Sequence, residues 1–251
     1  MIAAITTDSI LSALQAGEFC LQYQPIMSLS DECCVGAEAL VRWRHKDGLI
    51  PAADFIPMVE NTPMSGVLTY WIMDEAAREL GLWLRQYDGI YLAINVPPEI
   101  LGRGGVLYAA TRSGLLEVAD KLVFEITERG VPDKLGIDAL NSALRDSALR
   151  DKRVRIALDD VHLEGAHLVT LSRIHGHIII KVEAAAAIGD DRLEALATLM
   201  RIGIFNVVVE TIETREQAVL FKNLGVPFGQ GYYFSPPLFA ADFLEYFRCH
   251  R

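Results

Sequence analysis

From Ile90 onward one unit recurs in this chain: a short apolar run, a polar or acidic residue at its end, then a helical pattern. Ile90–Val96 carries Asn95 near its end, and Leu122–Thr127 carries Glu125, with Glu128 just beyond. Ile178–Val182 carries Lys181, Asn206–Glu210 ends on Glu210, and Val226–Phe234 contains Gln230. The stretch Arg153–Asp160 is the sharpest case. Ile156, Ala157 and Leu158 are apolar without alternation, as in a parallel strand covered on both faces, and the run stops on Asp159 and Asp160. Helical patterns at Pro132–Leu149, His162–Ile174, Asp191–Ile202 and Thr214–Leu224 separate the runs, and Phe239–Phe247 closes the chain. Alternating strands and helices imply a mostly parallel sheet. So many units in 251 residues favour a closed, TIM-like (β/α)₈ barrel over an open doubly wound sheet.

The first part departs from the repeat. Phe19–Ile26 and Cys33–Trp43 alternate like strands and lie close together, which predicts an antiparallel hairpin and makes the first barrel strand the deviant one. A short helix at 8–17 precedes them. A loop at Gly48–Pro51, a short helix at Ala52–Glu60 and a long amphipathic helix at Ser65–Tyr87 follow. The whole reads as one domain, 1–251, with its core at about 19–247.

A hydrophobic share of 51% supplies one sizeable core, and a formal charge of −10 argues against DNA, RNA polymers or anionic membranes as partners. No apolar run reaches membrane-spanning length, and the first residues lack the basic start of a signal peptide. Cys20, Cys33, Cys34 and Cys249 form no Cys-x-x-Cys pair, which fits a reduced, cytoplasmic setting.

In such a barrel the active face lies at the C-terminal ends of the strands. Asn95, Glu125, Asp159, Asp160, Lys181, Glu210 and Gln230 all fall there, and Glu38, inside an otherwise apolar strand, joins them. Taken singly these have ordinary readings: a strand-end Asp is often a helix cap, and Glu38 has Arg42 or Arg44 to pair with. Together they are a cluster of repelling carboxylates that calls for cations. Two divalent ions would neutralise the cluster and clamp a phosphodiester. Asp159 then bridges, Asp160 reaches the second ion, Glu210 takes the proton of an attacking water, and Lys181 holds that water or offsets phosphoryl charge. His162, His167, His175 and His177 lack a ligand pattern and read as surface or supporting residues rather than zinc ligands.

Glu38-Ala39-Leu40-Val41-Arg42-Trp43 resembles the signature of the EAL family of cyclic di-GMP phosphodiesterases. The likeness runs from about Phe19 to Phe247. It is carried further by Tyr23-Gln24-Pro25-Ile26, Phe55-Ile56-Pro57, Asn95, Glu125-Ile126-Thr127-Glu128, Asp159-Asp160, Lys181, Glu210 with Glu213, and Gln230-Gly231-Tyr232. The resemblance implies a barrel with one reversed strand that hydrolyses cyclic di-GMP to linear pGpG with Mg²⁺ or Mn²⁺. It implies that Glu38, Asn95, Glu125 and Asp159 ligate one ion, and that Asp159 and Asp160 serve the second. Glu210 would be the general base, assisted by Lys181. Gln24, Leu40, Arg42 and Gln230 would lie along the ligand, with Arg42 at a phosphate, and Glu128 and Glu213 would act in support. A homodimer is also implied, and regulation would come from expression, oligomerisation or a regulatory protein partner.

The chain departs from the family pattern around the acids. Where the family usually continues Phe-Gly-x-Gly, this chain reads Val161-His162-Leu163-Glu164-Gly165-Ala166-His167. Lys181-Val182-Glu183 stands for Lys-Ile-Asp, and Glu210-Thr211-Ile212-Glu213 stands for Glu-Gly-Val-Glu. Residues around metal ligands tune them, so a second reading stands beside hydrolysis: a weak or inactive domain acting as a cyclic di-GMP receptor or protein-interaction regulator.

Overall fold

The computed structural model describes residues 5–46, 48–101, 104–126, 141, 151–163, 171, 173, 178–203 and 205–251. The helices expected at 132–149 and 162–174 lie almost wholly outside these residues, although His162 and Leu163 are described and are not helical.

The chain opens on α1 (Thr7–Gln15), whose Thr6 cap and Ser9 bond reciprocally across the first turn. β1 (Phe19–Ser28) and β2 (Cys34–His45) then form the expected antiparallel hairpin, with Gln24 opposite Glu38 and Gln22 opposite Leu40. The segment expected as a loop at 48–51 is instead a strand, β3 (Gly48–Pro51), because it folds back on β2 with Ile50 opposite Trp43, both buried. α2 (Ala52–Val59) and α3 (Pro63–Gln86) follow. Thr62 caps α3, and Pro63 starts it two residues before the expected Ser65, since a proline costs nothing in a first turn.

From there the repeat takes over. β4 (Tyr91–Val96) leads to α4 (Pro98–Leu101) and α5 (Gly105–Ser113), and a 3₁₀ segment, Leu115–Lys121, leads into β5 (Leu122–Ile126). β6 (Arg155–Leu158), β7 (Ile178–Glu183), α6 (Ala184–Ala187), α7 (Asp190–Ile202), β8 (Phe205–Glu210), α8 (Arg215–Leu224), β9 (Phe228–Gly229) and α9 (Ala240–Cys249) complete it. The strand expected at 226–234 is confined to Phe228–Gly229. Beyond it Gly231, at φ +152°, turns the chain so tightly against Ile212 that a Cβ there would lie 2.2 Å from the Ile212 carbonyl oxygen.

The strands close into a ring in the order β1-β9-β8-β7-β6-β5-β4-β2, with β2 returning to β1 and β3 attached outside on β2. β1 is antiparallel to both its ring neighbours, and the remaining ring pairs are parallel. The fold is therefore the TIM-like barrel with its first strand reversed.

Two apolar cores follow from alternation along the strands. The larger lies between sheet and helices and includes an aromatic seam, where Trp83 of α3 packs edge-on against Phe243 and Phe247 of α9 at 5.2 and 5.4 Å. The smaller plugs the barrel interior: Ile26, Tyr91, Ala93, Val123, Ala157, Ile179 and Val208, with Phe228 against it. Side chains two residues apart share a strand face. One such step toward the C-terminal end of each parallel strand takes this plug from Ala93 to Asn95, Val123 to Glu125, Ala157 to Asp159, Ile179 to Lys181 and Val208 to Glu210. On reversed β1 the same step runs backward, from Ile26 to Gln24. The barrel thus changes from apolar to ionic within one layer.

Candidate functional site

At the centre of the ionic layer is Lys181, 1% exposed, on β7. Its ammonium faces four carboxylates from four other strands or strand ends: Glu210 at 2.5 Å, Glu125 at 2.9 Å, Glu38 at 3.1 Å and Asp159 at 3.4 Å. Two amides complete the layer. Asn95 Nδ2 donates to Glu38 Oε1 at 2.8 Å, and Gln230 Nε2 donates to Glu38 Oε2 at 2.7 Å and to Glu210 Oε1 at 3.1 Å. Glu38 does not pair with the nearby arginines. Arg42 donates through Nε to Gln22 Oε1 at 3.0 Å and through Nη1 to its neighbour's carbonyl, Val41 O, at 3.0 Å.

Buried charges that are not matched one for one cost free energy, and the groups respond by shifting their proton affinities. Burial pushes the Glu125 carboxyl well above the usual range, and the charge of Glu38 beside it pushes the same way. Burial also lifts Glu210, against the pull of Lys181, to about 8. Glu38 is the exception. Burial opposes its charge, but Lys181 and the Gln230 and Asn95 amides outweigh burial and hold it low. At the rim Asp160 is pushed up by desolvation and by the charges of Asp159 and Glu183. Lys181 itself is held well above the ordinary range, because its carboxylate partners outweigh the burial that would lower it.

Above this layer opens a cleft of about 460 Å³ lined by Gln24, Glu38, Asp159, Lys181, Glu210, Thr211, Glu213, Gln230, Gly231 and Tyr232. Asn95 and Glu125 reach the cluster from beneath, through Glu38 and Lys181 respectively. Leu40 and Arg42 continue the Glu38 face of β2 beyond the cleft, both half-buried. Glu128 lies outside the described residues. Gln22, Thr211 and Tyr232 were not singled out as site residues. Gln22 had a signal, since polar Gln22 and Gln24 alternate with buried Leu21 and Tyr23 along a strand. Thr211 had one in the comparison with the family pattern, where it stands in place of the glycine that follows Glu210.

The donor set suits a hard cation. Asp159, Asp160 and Glu210 each offer a carboxylate oxygen, all within 4.8 Å of one another, and oxygen-only sets favour Mg²⁺-like ions over soft metals. Among the described residues, the excess of these carboxylates over the Lys181 ammonium is the charge such an ion would balance.

The same excess sets a pH dependence. Glu210 titrates near 4.5 unfolded and near 8 folded, so the stability it contributes is fully present below about 4.5 and is lost as pH rises toward 8. Glu125, raised in the same direction, adds to this loss, whereas Glu38, held low, favours the fold above 4.5 and loses its contribution as pH falls. With chelator present, the melting temperature is expected to fall between about pH 6 and about pH 8, and added Mg²⁺ to raise it more at the higher value, since metal binding competes with protons. A metal-induced shift equal at both pH values would contradict this charge assignment.

The EAL domain family model matches residues 7–237. Among similar proteins, the probable cyclic di-GMP phosphodiesterase PdeB of Escherichia coli K12 is 30% identical over 247 residues, covering 95% of this chain and 46% of that protein. Cyclic di-GMP phosphodiesterase PdeL of the same strain is 28% identical over 267 residues, covering 96% of this chain and 68% of that protein. This chain thus spans about half of PdeB and about two thirds of PdeL. Among solved structures, the PaMucR phosphodiesterase in complex with c-di-GMP superposes with a TM-score of 0.80 at 26% identity, covering 94% of this chain and 98% of that one. No helix among the described residues is long and apolar enough to cross a membrane. With the family match spanning nearly its whole length over a closed barrel of the same form, the chain belongs to the EAL domain family.

Proposed function

We propose that the acid-lined mouth hydrolyses one phosphodiester of cyclic di-GMP to the linear dinucleotide pGpG. The observation that carries this reading is the convergence of Glu38, Glu125, Asp159 and Glu210 on one buried layer beneath an open cleft. PdeB, named a probable cyclic di-GMP phosphodiesterase, PdeL, named a cyclic di-GMP phosphodiesterase, and the c-di-GMP complex of PaMucR support the choice of substrate.

Divalent cations, Mg²⁺ or Mn²⁺, when bound would draw charge from the phosphoryl oxygens and ease loss of a proton from water. Glu38, Asn95, Glu125 and Asp159 would hold one ion, and Asp159 with Asp160 a second. Asn95 and Gln230 fix the Glu38 carboxylate through its two oxygens, so this ligand is oriented before anything binds. Glu210 takes the proton as the water oxygen bonds to phosphorus and the bond from phosphorus to the 3′ oxygen breaks, and the leaving 3′ oxygen takes up a proton from solvent to become the 3′ hydroxyl of pGpG. Burial strengthens the hold of the Glu210 carboxylate on a proton, as a base requires. Lys181, within reach of Glu210, offsets charge gathering on the phosphoryl group. Gln24, Leu40, Arg42 and Gln230 would lie along the ligand, the Arg42 guanidinium at a phosphate, with Glu213 and Glu128 in support.

Binding without turnover is the second reading, and the segment after Asp160 favours it. His162 and Glu164 stand where the family usually has glycines, and between and beside them Val161 and Leu163 are buried, with the Val161 N–H donating to the Lys181 carbonyl at 3.0 Å, so the altered stretch begins tied into the core beside the acids.

Incubating the chain with cyclic di-GMP and Mg²⁺ or Mn²⁺, then separating the linear dinucleotide by chromatography, tests the two. Hydrolysis is expected, abolished by chelator, with Asp159→Asn lowering the rate by at least about 100-fold through the loss of a shared ligand. Binding with no linear product at high enzyme concentration would establish the receptor reading instead.

A further inference from the structure

Two non-glycine residues beside the acidic cluster have a left-handed backbone: Asp160 at φ +52° and Thr211 at φ +54°. Aspartate tolerates that region, but for a β-branched residue it is a true outlier. Thr211 directly follows Glu210, and its neighbours are fixed on both sides. The Gln230 N–H donates to the Val209 carbonyl at 2.9 Å, the Ile212 N–H to the Gln230 carbonyl at 3.0 Å, and the Tyr233 N–H to the Ile212 carbonyl at 2.9 Å. Gly231 is seated against Ile212 with no room for a side chain. These contacts dictate the turn whatever residue sits at 211, and glycine would meet the same φ without strain.

The threonine side chain therefore needs a reason of its own. Thr211 is exposed, lines the cleft, and has no hydrogen-bond partner among the described residues. The other side-chain donors of the cleft are largely committed: Lys181 to the acids, and Gln230 Nε2 to Glu38 and Glu210. Among the described residues that line the cleft, Gln24, Tyr232 and Thr211 remain. A phosphodiester offers only acceptor oxygens to a wall rich in carboxylates, so each uncommitted neutral donor counts.

We infer that Thr211 is a ligand-contacting residue whose hydroxyl donates to an acceptor oxygen of the bound phosphodiester, at the expense of backbone strain. This rests on the proposed function. The test measures cyclic di-GMP affinity of Thr211→Ser, Thr211→Val and Thr211→Gly in a Glu210→Gln background, which keeps the ligand intact, and the melting temperature of each. Valine keeps shape and strain but removes the hydroxyl, and is expected to weaken binding roughly 5–10-fold. Serine should bind within about twofold of the parent, since its hydroxyl survives. Glycine should weaken binding like valine yet melt roughly 2–8 °C higher, the strain being relieved. Parent-like affinity of Thr211→Val would overturn the inference while leaving the proposed function standing. Absence of binding by both wild type and the Glu210→Gln parent would overturn the proposed function and this inference with it.

Discussion

Lys181→Met is expected to lower the melting temperature by roughly 6–20 °C and the rate of hydrolysis by at least about 100-fold. The first figure follows from removing one partner of a buried ionic cluster, typically about 3–5 kcal/mol, at about 2–4 °C per kcal/mol for a domain of this size. Methionine fills much of the lysine's volume, so packing changes little. What is lost is, among the described residues, the one ammonium within reach of Glu38, Glu125, Asp159 and Glu210. With chelator present those carboxylates recover by taking up protons, so the loss should be greater near pH 8 than near pH 6. Divalent cation should restore part of the stability by supplying charge to the same oxygens, whereas the rate should stay low because the ammonium no longer offsets the phosphoryl charge. Thermal denaturation with and without Mg²⁺ measures this. A variant that melts within about 2 °C of wild type at both pH values would show that the cluster is not held together as described.

Glu210→Gln is expected to behave in the opposite way: hydrolysis falls roughly 10²–10⁴-fold, the range for loss of a general base, while the fold is kept or strengthened. The substitution preserves shape and removes a carboxyl that burial already disfavours in its charged form. Lys181 retains Glu38, Glu125 and Asp159, so the cluster keeps its counter-charge. With chelator present near pH 8 the variant should therefore melt at or above wild type. The loss should appear in kcat with KM nearly unchanged, because a proton acceptor acts only as the reaction proceeds. A rise in KM with kcat unaffected would assign Glu210 to binding and leave the base unidentified.

How far the sequence reveals this site depends on which feature each residue leaves in it. The polar residue closing each apolar run was legible, because a two-residue period carries each strand from the interior plug to the ionic layer: Val123 to Glu125, Ile179 to Lys181, Val208 to Glu210. The reversed strand was legible from the short span between Phe19–Ile26 and Cys33–Trp43. β3 was not, because Gly48 and Pro51 signal a turn, and only Ile50 opposite Trp43 reveals the pairing. The last strand was read too long because Gly231-Tyr232-Tyr233-Phe234 looks like strand material, while the close approach of Gly231 to Ile212 is a tertiary fact. The partners within the cluster were equally hidden. Glu38 has two arginines nearby in sequence, yet its partners are Asn95, Lys181 and Gln230, brought together only by closure of the barrel.

The most direct test of the acidic mouth as a hydrolytic centre is turnover of cyclic di-GMP in water enriched in ¹⁸O, with the product weighed by mass spectrometry. Attack by water on phosphorus predicts linear pGpG carrying one heavy oxygen on its terminal phosphate, formed by wild type with divalent cation and nearly absent with Glu210→Gln. Unlabelled linear product, or equal labelled product from both proteins, would contradict the assignment of water as nucleophile and Glu210 as its base.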